Sequence, residues 1–356
     1  MKKIIVFITL CVMLPSCNNA QENSTVVTKG ITEDEKVIET VINAKTRVLL
    51  RAQNTFRTFD DKSKVLLSFE DNERTKWTNL PLGIVQRKGI SIGDMTNSQR
   101  VAVHKLLSEL LSSKGYLKTT GIMHLDNILE KHFNVPHLKW SHKQYYFAFW
   151  NKPEKDTNWG FKLEGHHLSL NFTFADMKIS STPLFLGADP AEIRETEYAG
   201  WRVLGEEEDL GFLFINSLDE TQKKKAVLKD KKVPRDILTN PDSEQRLTAF
   251  WGIKAAELDK AQKTLLRTII EEYIHNLEHS LAHEEMEKID SAGFDNIYFA
   301  WIGDTQRSDS QYYLIHGPTF IIEFDNSRNH IHSIFRSKTN DFGRDILKDH
   351  LKNNPH

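Results

Sequence analysis

Two groups of short, alternating, aromatic-rich runs, set far apart in the chain with helical spacing between them, constrain this fold more than any other feature. The first group is Gln144 to Trp150, Trp159 to Glu164 and His166 to Phe174. The second is Asn296 to Trp301, Gln311 to His316, Thr319 to Phe324 and His330 to Phe335, with a turn at Gly317-Pro318. Alternation at period two marks strands with one face buried, and short links make the second group an antiparallel meander. Because helices separate the two groups, the economical architecture is α+β: a mixed, largely antiparallel sheet with a C-terminal meander, packed by amphipathic helices.

The helices announce themselves by their starts. Thr96-Asn97-Ser98-Gln99, Asp219-Glu220-Thr221-Gln222 and Asp259-Lys260-Ala261-Gln262 each place a capping side chain three residues before a glutamine that can reach back. Met95, Leu218 and Leu258 precede them as hydrophobic staples. The first of these helices is expected to run through Leu106, Leu107, Leu110 and Leu111 to a stop at Gly115, and the third through Leu265, Leu266, Ile269 and Ile270 past Tyr273. Glu33 to Phe56 has apolar residues at helical spacing and predicts one more amphipathic helix. His275 to Ala292 is expected to be a solvated continuation of the third.

At the N-terminus, Lys2-Lys3, the apolar run Ile4 to Leu10 and the closing Leu14-Pro15-Ser16-Cys17 resemble the signal peptide of a bacterial lipoprotein. The run is shorter than the roughly 20 apolar residues that span a bilayer. The resemblance implies a signal over residues 1–16, a lipidated Cys17, a flexible tether over 17–30 and one α+β domain over 31–356, anchored to the membrane of the bacterial envelope and facing periplasm or exterior. With Cys11 removed and Cys17 lipidated, no cysteine is left, so disulfides, thiolate metal sites and cysteine nucleophiles are excluded. Loss of Lys2 and Lys3 takes the net charge from -2 to roughly -4. The one dense basic stretch, Lys223 to Lys232, carries no interleaved aromatic rings, which argues against nucleic acid as a partner.

Histidines carry the candidate chemistry. On a strand, residues i and i+2 share a face with Cα atoms about 7 Å apart, so His330 and His332 can close on one ion. On the upstream strand, His167 shares a polar face with Ser169, Asn171 and Thr173, which makes it the third metal ligand, while His166 reads as a hydrogen-bonded supporting or core residue. Glu164, Asp341, Asp345 and His350 are the candidates to complete the site, with Glu164 or Asp341 as base and Arg336 for an anionic group. Nitrogen ligands favour zinc or iron over magnesium. Two readings compete with this: a polar ligand or catalytic site without metal, and strand histidines that only hold backbone groups together.

Two patterns are decoys. Gly89-Ile90-Ser91-Ile92-Gly93 matches the nucleophile elbow of serine hydrolases, but no parallel-strand framework precedes it and the next helix starts only after Thr96. His275, His279 and His283 stand at helical spacing, yet on a face expected to be exposed and without a His-Glu-x-x-His motif.

The blocks Trp159-Gly160-Phe161-Lys162-Leu163-Glu164-Gly165-His166-His167-Leu168-Ser169-Leu170-Asn171, Gly187-Ala188-Asp189-Pro190-Ala191, Tyr312 to Pro318, Asn329-His330-Ile331-His332-Ser333 and Asp341-Phe342-Gly343-Arg344-Asp345-Ile346-Leu347 resemble, in this order, the domain of unknown function 3500 family. The resemblance covers Thr46 to His350 and implies no settled activity, only that the two histidine blocks belong to one domain. Residues and resemblance together lead to an envelope lipoprotein with a histidine-rich pocket, expected to be a metal-assisted hydrolase or lyase on a small-molecule or carbohydrate substrate. A non-catalytic binder of such a ligand, using the many tryptophan and tyrosine rings, is the alternative, and a structural envelope protein is the third reading.

Overall fold

A computed structural model describes residues 44–133, 135–155, 157–241, 247–308 and 310–353. The expected signal peptide, Cys17, the tether and the first part of the Glu33 to Phe56 helix lie outside the described residues. What is described of that helix is α1, Ala44–Arg57, which buries Val48, Leu49, Ala52 and Phe56. Positions 48, 52 and 56 stand four apart and form one stripe.

The three predicted capping boxes all form, at the starts of α2 (Asn97–Leu107), α5 (Glu220–Ala226) and α6 (Lys260–Ile274). The staples Met95, Leu218 and Leu258 are buried. Gly115 does not end α2. The chain turns after Leu107, Ser112 caps a new helix, α3 (Ser113–His132), and Gly115 lies in its first turn, where a Cβ would meet the Asn276 carbonyl oxygen at 2.0 Å. Nor does α6 continue into the next segment: it stops at His275, and a separate helix, α7 (His279–Ser291), starts from the Glu278 cap and buries Leu281, Ala282, Met286 and Ile289. Between α3 and α5 runs α4 (Gly205–Ser217), and the chain closes with α8 (Arg344–Asn353). No described helix is long and apolar enough to cross a membrane.

Twelve described strands form one sheet. In chain order they are β1 (Leu66–Leu67), β2 (Ile90–Ser91), β3 (Tyr146–Trp150), β4 (Trp159–Gly165), β5 (Leu168–Ala175), β6 (Lys178–Ser180), β7 (Leu184–Ala188), β8 (Ile253–Lys254), β9 (Tyr298–Gly303), β10 (Ser310–His316), β11 (Phe320–Ser327) and β12 (Ile331–Ser337). The main path runs β1-β3-β4-β5-β7-β12-β11-β10-β9-β8. Only the β1 to β3 pairing is parallel among the described strands. The fold class and the C-terminal meander are therefore as the sequence predicts.

Five short strands were not predicted, β1, β2, β6, β7 and β8, and of these β7 matters most for the candidate site. β7 is Leu184-Phe185-Leu186-Gly187-Ala188, buried throughout, and it pairs antiparallel with β5 on one side and β12 on the other. A strand covered on both faces shows no alternation, and five residues between Pro183 and Pro190 give little pattern to detect. Yet β7 alone joins the two strand groups.

The faces of the sheet differ. Against the helices lies an aromatic layer in which Phe147, Phe149, Phe161 and Phe172 step across β3, β4 and β5, with Phe161 5.0 Å from Phe172 between ring centres. The opposite face is covered by loops: Trp77 and Ile237 pack on Phe185, Ile334 and Phe342, and Leu247 packs on Tyr312, Leu314 and Ile321. His332 shares a strand face with Ile334, so the candidate chemistry sits on the loop-covered side.

Candidate metal centre

Register brings the distant histidines together. Leu168 at the start of β5 pairs with Leu186, and Gly187 next to it pairs with His332 near the start of β12. The hairpin preceding β5 and the turn preceding β12 therefore emerge at the same end of the sheet, on either side of β7. His166 and His167 are the two residues of that hairpin turn, linking β4 to β5. This corrects the expectation that His167 reaches the site by strand parity with Ser169. Its backbone is left-handed instead, φ 59°, a conformation costing a side-chain-bearing residue about 1–2 kcal/mol. Two hydrogen bonds offset it: His167 N–H donates to Asn79 O at 3.0 Å, and Gly187 N–H donates to His167 O at 2.8 Å. The turn before His330 uses the same device, with Arg328 and Asn329 at φ 62° and 64°.

The three imidazoles converge on their Nε2 atoms. His167 Nε2 lies 2.7 Å from His330 Nε2, which lies 3.1 Å from His332 Nε2. One ligand atom from each falls within 4.8 Å of the others, so the three histidines could together hold a metal ion. Nitrogens bound tetrahedrally at about 2.0–2.1 Å stand about 3.3 Å apart, so the His167–His330 and His330–His332 spacings are each within about 0.6 Å of a coordinating geometry. The rings fit this task electrostatically. Burial, with His332 nearby, pushes His330 down to about 3. Burial and the neighbouring His166, His330 and His332 rings hold His167 well below the ordinary imidazole value. Both are neutral near pH 7, the form that ligates metals.

Carboxylates stand behind the ligands. His332 Nδ1 is 2.6 Å from Asp236 Oδ1, and His330 Nδ1 is 3.8 Å from Asp189 Oδ2. With its Nδ1–H donating a hydrogen bond to the Asp236 carboxylate, the His332 ring directs Nε2 toward the centre, the carboxylate–histidine arrangement of metal sites. Burial works to raise Asp236, but the His332 hydrogen bond and charge outweigh it and hold the carboxyl below its usual range. The His330 amide is fixed as well: it donates to Asn326 Oδ1 at 3.2 Å, while Asn326 Nδ2 donates to the buried Glu208 at 2.7 Å. Asp325, paired in register with His332, is pushed up to about 8 by burial and by Asp236. Gly187 makes room between the strands, since a Cβ there would meet Ile331 O at 2.8 Å and His167 Cδ2 at 3.0 Å. The centre is partly open, for the His330 side chain is 38% exposed while that of His332 is 11%.

Several predicted site residues are engaged elsewhere. His166 points to the helix side, its Nδ1 2.6 Å from Asp126 Oδ1, with Tyr145 OH donating to both Asp126 and the His166 carbonyl. Glu164 is removed from the role of base: it is buried, paired with Arg87 at 3.2 Å, 3.7 Å from Lys162, and accepts the Thr78 amide. Asp341 and Arg336 are bound to each other at 2.7 Å and both buried, so neither is free to act as base or anion site. Arg336 is four residues from His332, about 13 Å along β12, and the Ile334 cluster fills the space between. Asp345 is exposed in the first turn of α8. His350 bonds Asp176 at 2.7 Å, beyond the far end of β5 from His167.

The decoys have structural roles. Ser91 Oγ caps a short turn by accepting the Asp94 amide at 3.1 Å. His275, His279 and His283 are split between two helices, and His283 pairs with Glu287 at the surface. Sequence reading missed Asp236, Asp325, Asn326 and Asn79 altogether. Asp189 was within reach, since it stands in the Gly187-Ala188-Asp189-Pro190-Ala191 block.

The family model described as "Protein of unknown function (DUF3500)" matches residues 41–344, and the chain belongs to that family. No curated protein and no solved structure matches the chain.

Proposed function

We propose that this DUF3500 protein binds a divalent first-row metal, zinc or iron, through His167, His330 and His332, and uses it in hydrolysis or a lyase reaction on a small-molecule or carbohydrate substrate. The observation that carries this reading is the convergence of three imidazoles with ligand nitrogens within 4.8 Å of one another, one of them oriented by a carboxylate. Imidazole nitrogens select such metals over magnesium or calcium, and three protein ligands leave coordination positions for substrate. An ion held there would act as a Lewis acid and lower the pKa of a coordinated water.

The chain's own residues divide the remaining work. Asp236 keeps His332 in one tautomer, while Asp189, 3.8 Å from His330 Nδ1, stands as a nearby carboxylate without a hydrogen bond to the ring. In this reading Asp325, across the strand pair from His332, would pass a proton to the leaving atom. The exposed edge of His330 is the side from which substrate would approach. A lipid on Cys17 would hold this centre at the envelope surface.

Elemental analysis of the purified mature protein beside a His330→Ala/His332→Ala variant tests the reading. About one equivalent of zinc or iron is expected in the first and little in the second. Equal metal content in both would remove the proposal. Metal retained by the native protein without turnover of ester, phosphoester or glycoside substrates would assign binding in place of catalysis.

A further inference from the structure

Away from the histidines, on the loop-covered face of β3 and β4, the segment 73–88 roofs a cavity of about 190 Å³. Trp77, Tyr146 and Trp150 give it aromatic walls, and Arg87, Lys162 and Glu164 line it with charge. Four cationic side chains, Lys76, Lys88, Arg87 and Lys162, stand against three carboxylates, Glu73 and Glu164 in the lining and Asp71 paired with Lys88 at 2.6 Å, an excess of one positive charge. Its buried donors are not all used. The Arg87 side chain, 2% exposed, directs Nε to Glu164 and Nη2 to the carbonyls of Thr78 and Gly165, but its Nη1 is buried without an acceptor. The Trp77 indole Nε1 is in the same condition, in a residue 4% exposed.

A buried donor without a partner is destabilising, and more so when charged. Two such donors on residues lining one cavity are a feature that demands an acceptor. The acceptor chemistry follows from the surroundings: a guanidinium N–H and an indole N–H in a site with excess positive charge select an oxyanion, and the rings select a flat apolar body beside it. We propose that this cavity binds the carboxylate of a small aromatic or similarly apolar acid, with Arg87 Nη1 and Trp77 Nε1 donating to its oxygens. Lys162 adds field without being consumed, since its Nζ is held by the Glu73 and Lys76 carbonyls. The site does not depend on metal at the histidines, although the two adjoin. Trp77 packs 4.9 Å from Phe185, which lies 5.4 Å from His332, and Asn79, two residues on, reaches His332 at 3.5 Å.

The test is calorimetric titration of the full chain, stripped of metal with EDTA so that the outcome is independent of the histidine centre. Benzoate is the probe, benzamide its neutral isostere, and inorganic phosphate the second anion. Saturable benzoate binding is expected, with benzamide about tenfold weaker and phosphate weaker for want of the ring contact. Trp77→Phe keeps a ring against Phe185 and removes the N–H, so it should weaken benzoate about threefold or more with no drop in melting temperature. Arg87→Lys should weaken it further. Failure of benzoate to saturate, equal binding of benzamide, phosphate binding as tightly as benzoate, or an unaltered Trp77→Phe titration would each overturn the proposal.

Discussion

His332 Nδ1 lies 2.6 Å from Asp236 Oδ1, and that contact decides which nitrogen of the ring faces the other two histidines. Asp236 sits in the loop that covers the sheet and also accepts the Ile237 amide at 2.7 Å, so the carboxylate is itself held in place. Its replacement by alanine should leave all three ligands present but free the His332 ring to rotate and change tautomer. Metal affinity measured by competition with a chromogenic chelator should fall about 10–100-fold. An unchanged affinity would mean that Asp236 only packs.

Burial holds His330 and His167 below their unfolded values, His330 at about 3. Between pH 6.5 and 3 the unfolded chain therefore binds more protons at these sites than the folded one, and stability falls as pH drops through that window. Urea denaturation of EDTA-treated protein at pH 7 and pH 5 should show the midpoint moving down. His330→Gln, which cannot titrate, should move less over the same interval.

Asp325 works in the opposite direction. Its folded pKa is about 8, raised by burial and by Asp236, so the folded protein binds the extra proton between pH 3.8 and 8 and stability falls as pH rises through that range. Asp325→Asn keeps the shape without the charge. In metal-free protein it should be more stable than the native chain at pH 8, by on the order of a few kcal/mol, and no more stable at pH 4. Parallel pH profiles for the two proteins would contradict this.

Gly187 is the residue of β7 that leaves the His167 ring its space. Alanine there would put a Cβ 2.8 Å from Ile331 O and 3.0 Å from His167 Cδ2, close enough that backbone or ring must shift. The expected cost is about 1–3 kcal/mol of stability, read by chemical denaturation, together with reduced metal content. Alanine at the neighbouring turn residue His166 should cost less metal, because that ring bonds Asp126 on the helix side.

Local signals in the sequence carried far. Each capping box formed where Thr96, Asp219 and Asp259 placed it, because a cap is settled within one helical turn. Strands with one buried face were legible by alternation. Failures came where that logic lapses. Gly115 read as a stop, yet it is a helix residue kept small by the backbone at Asn276, a neighbour no local window contains. Glu164, Asp341 and Arg336 read as available charges, and each has a buried partner supplied by the fold.

By itself the sequence determined the α+β class, the C-terminal meander, the helix starts and the identity of the three clustered histidines, since side-chain periodicity, capping and ligand chemistry are properties of residues and their near neighbours. Tertiary structure alone decided that His167 joins from a left-handed hairpin turn, that Asp236 orients the His332 ring, and that the predicted acids are engaged with other partners. The reason is β7: a short strand buried on both faces leaves no periodic trace, and its pairing with β5 and β12 sets the register that brings the two histidine turns to one end of the sheet.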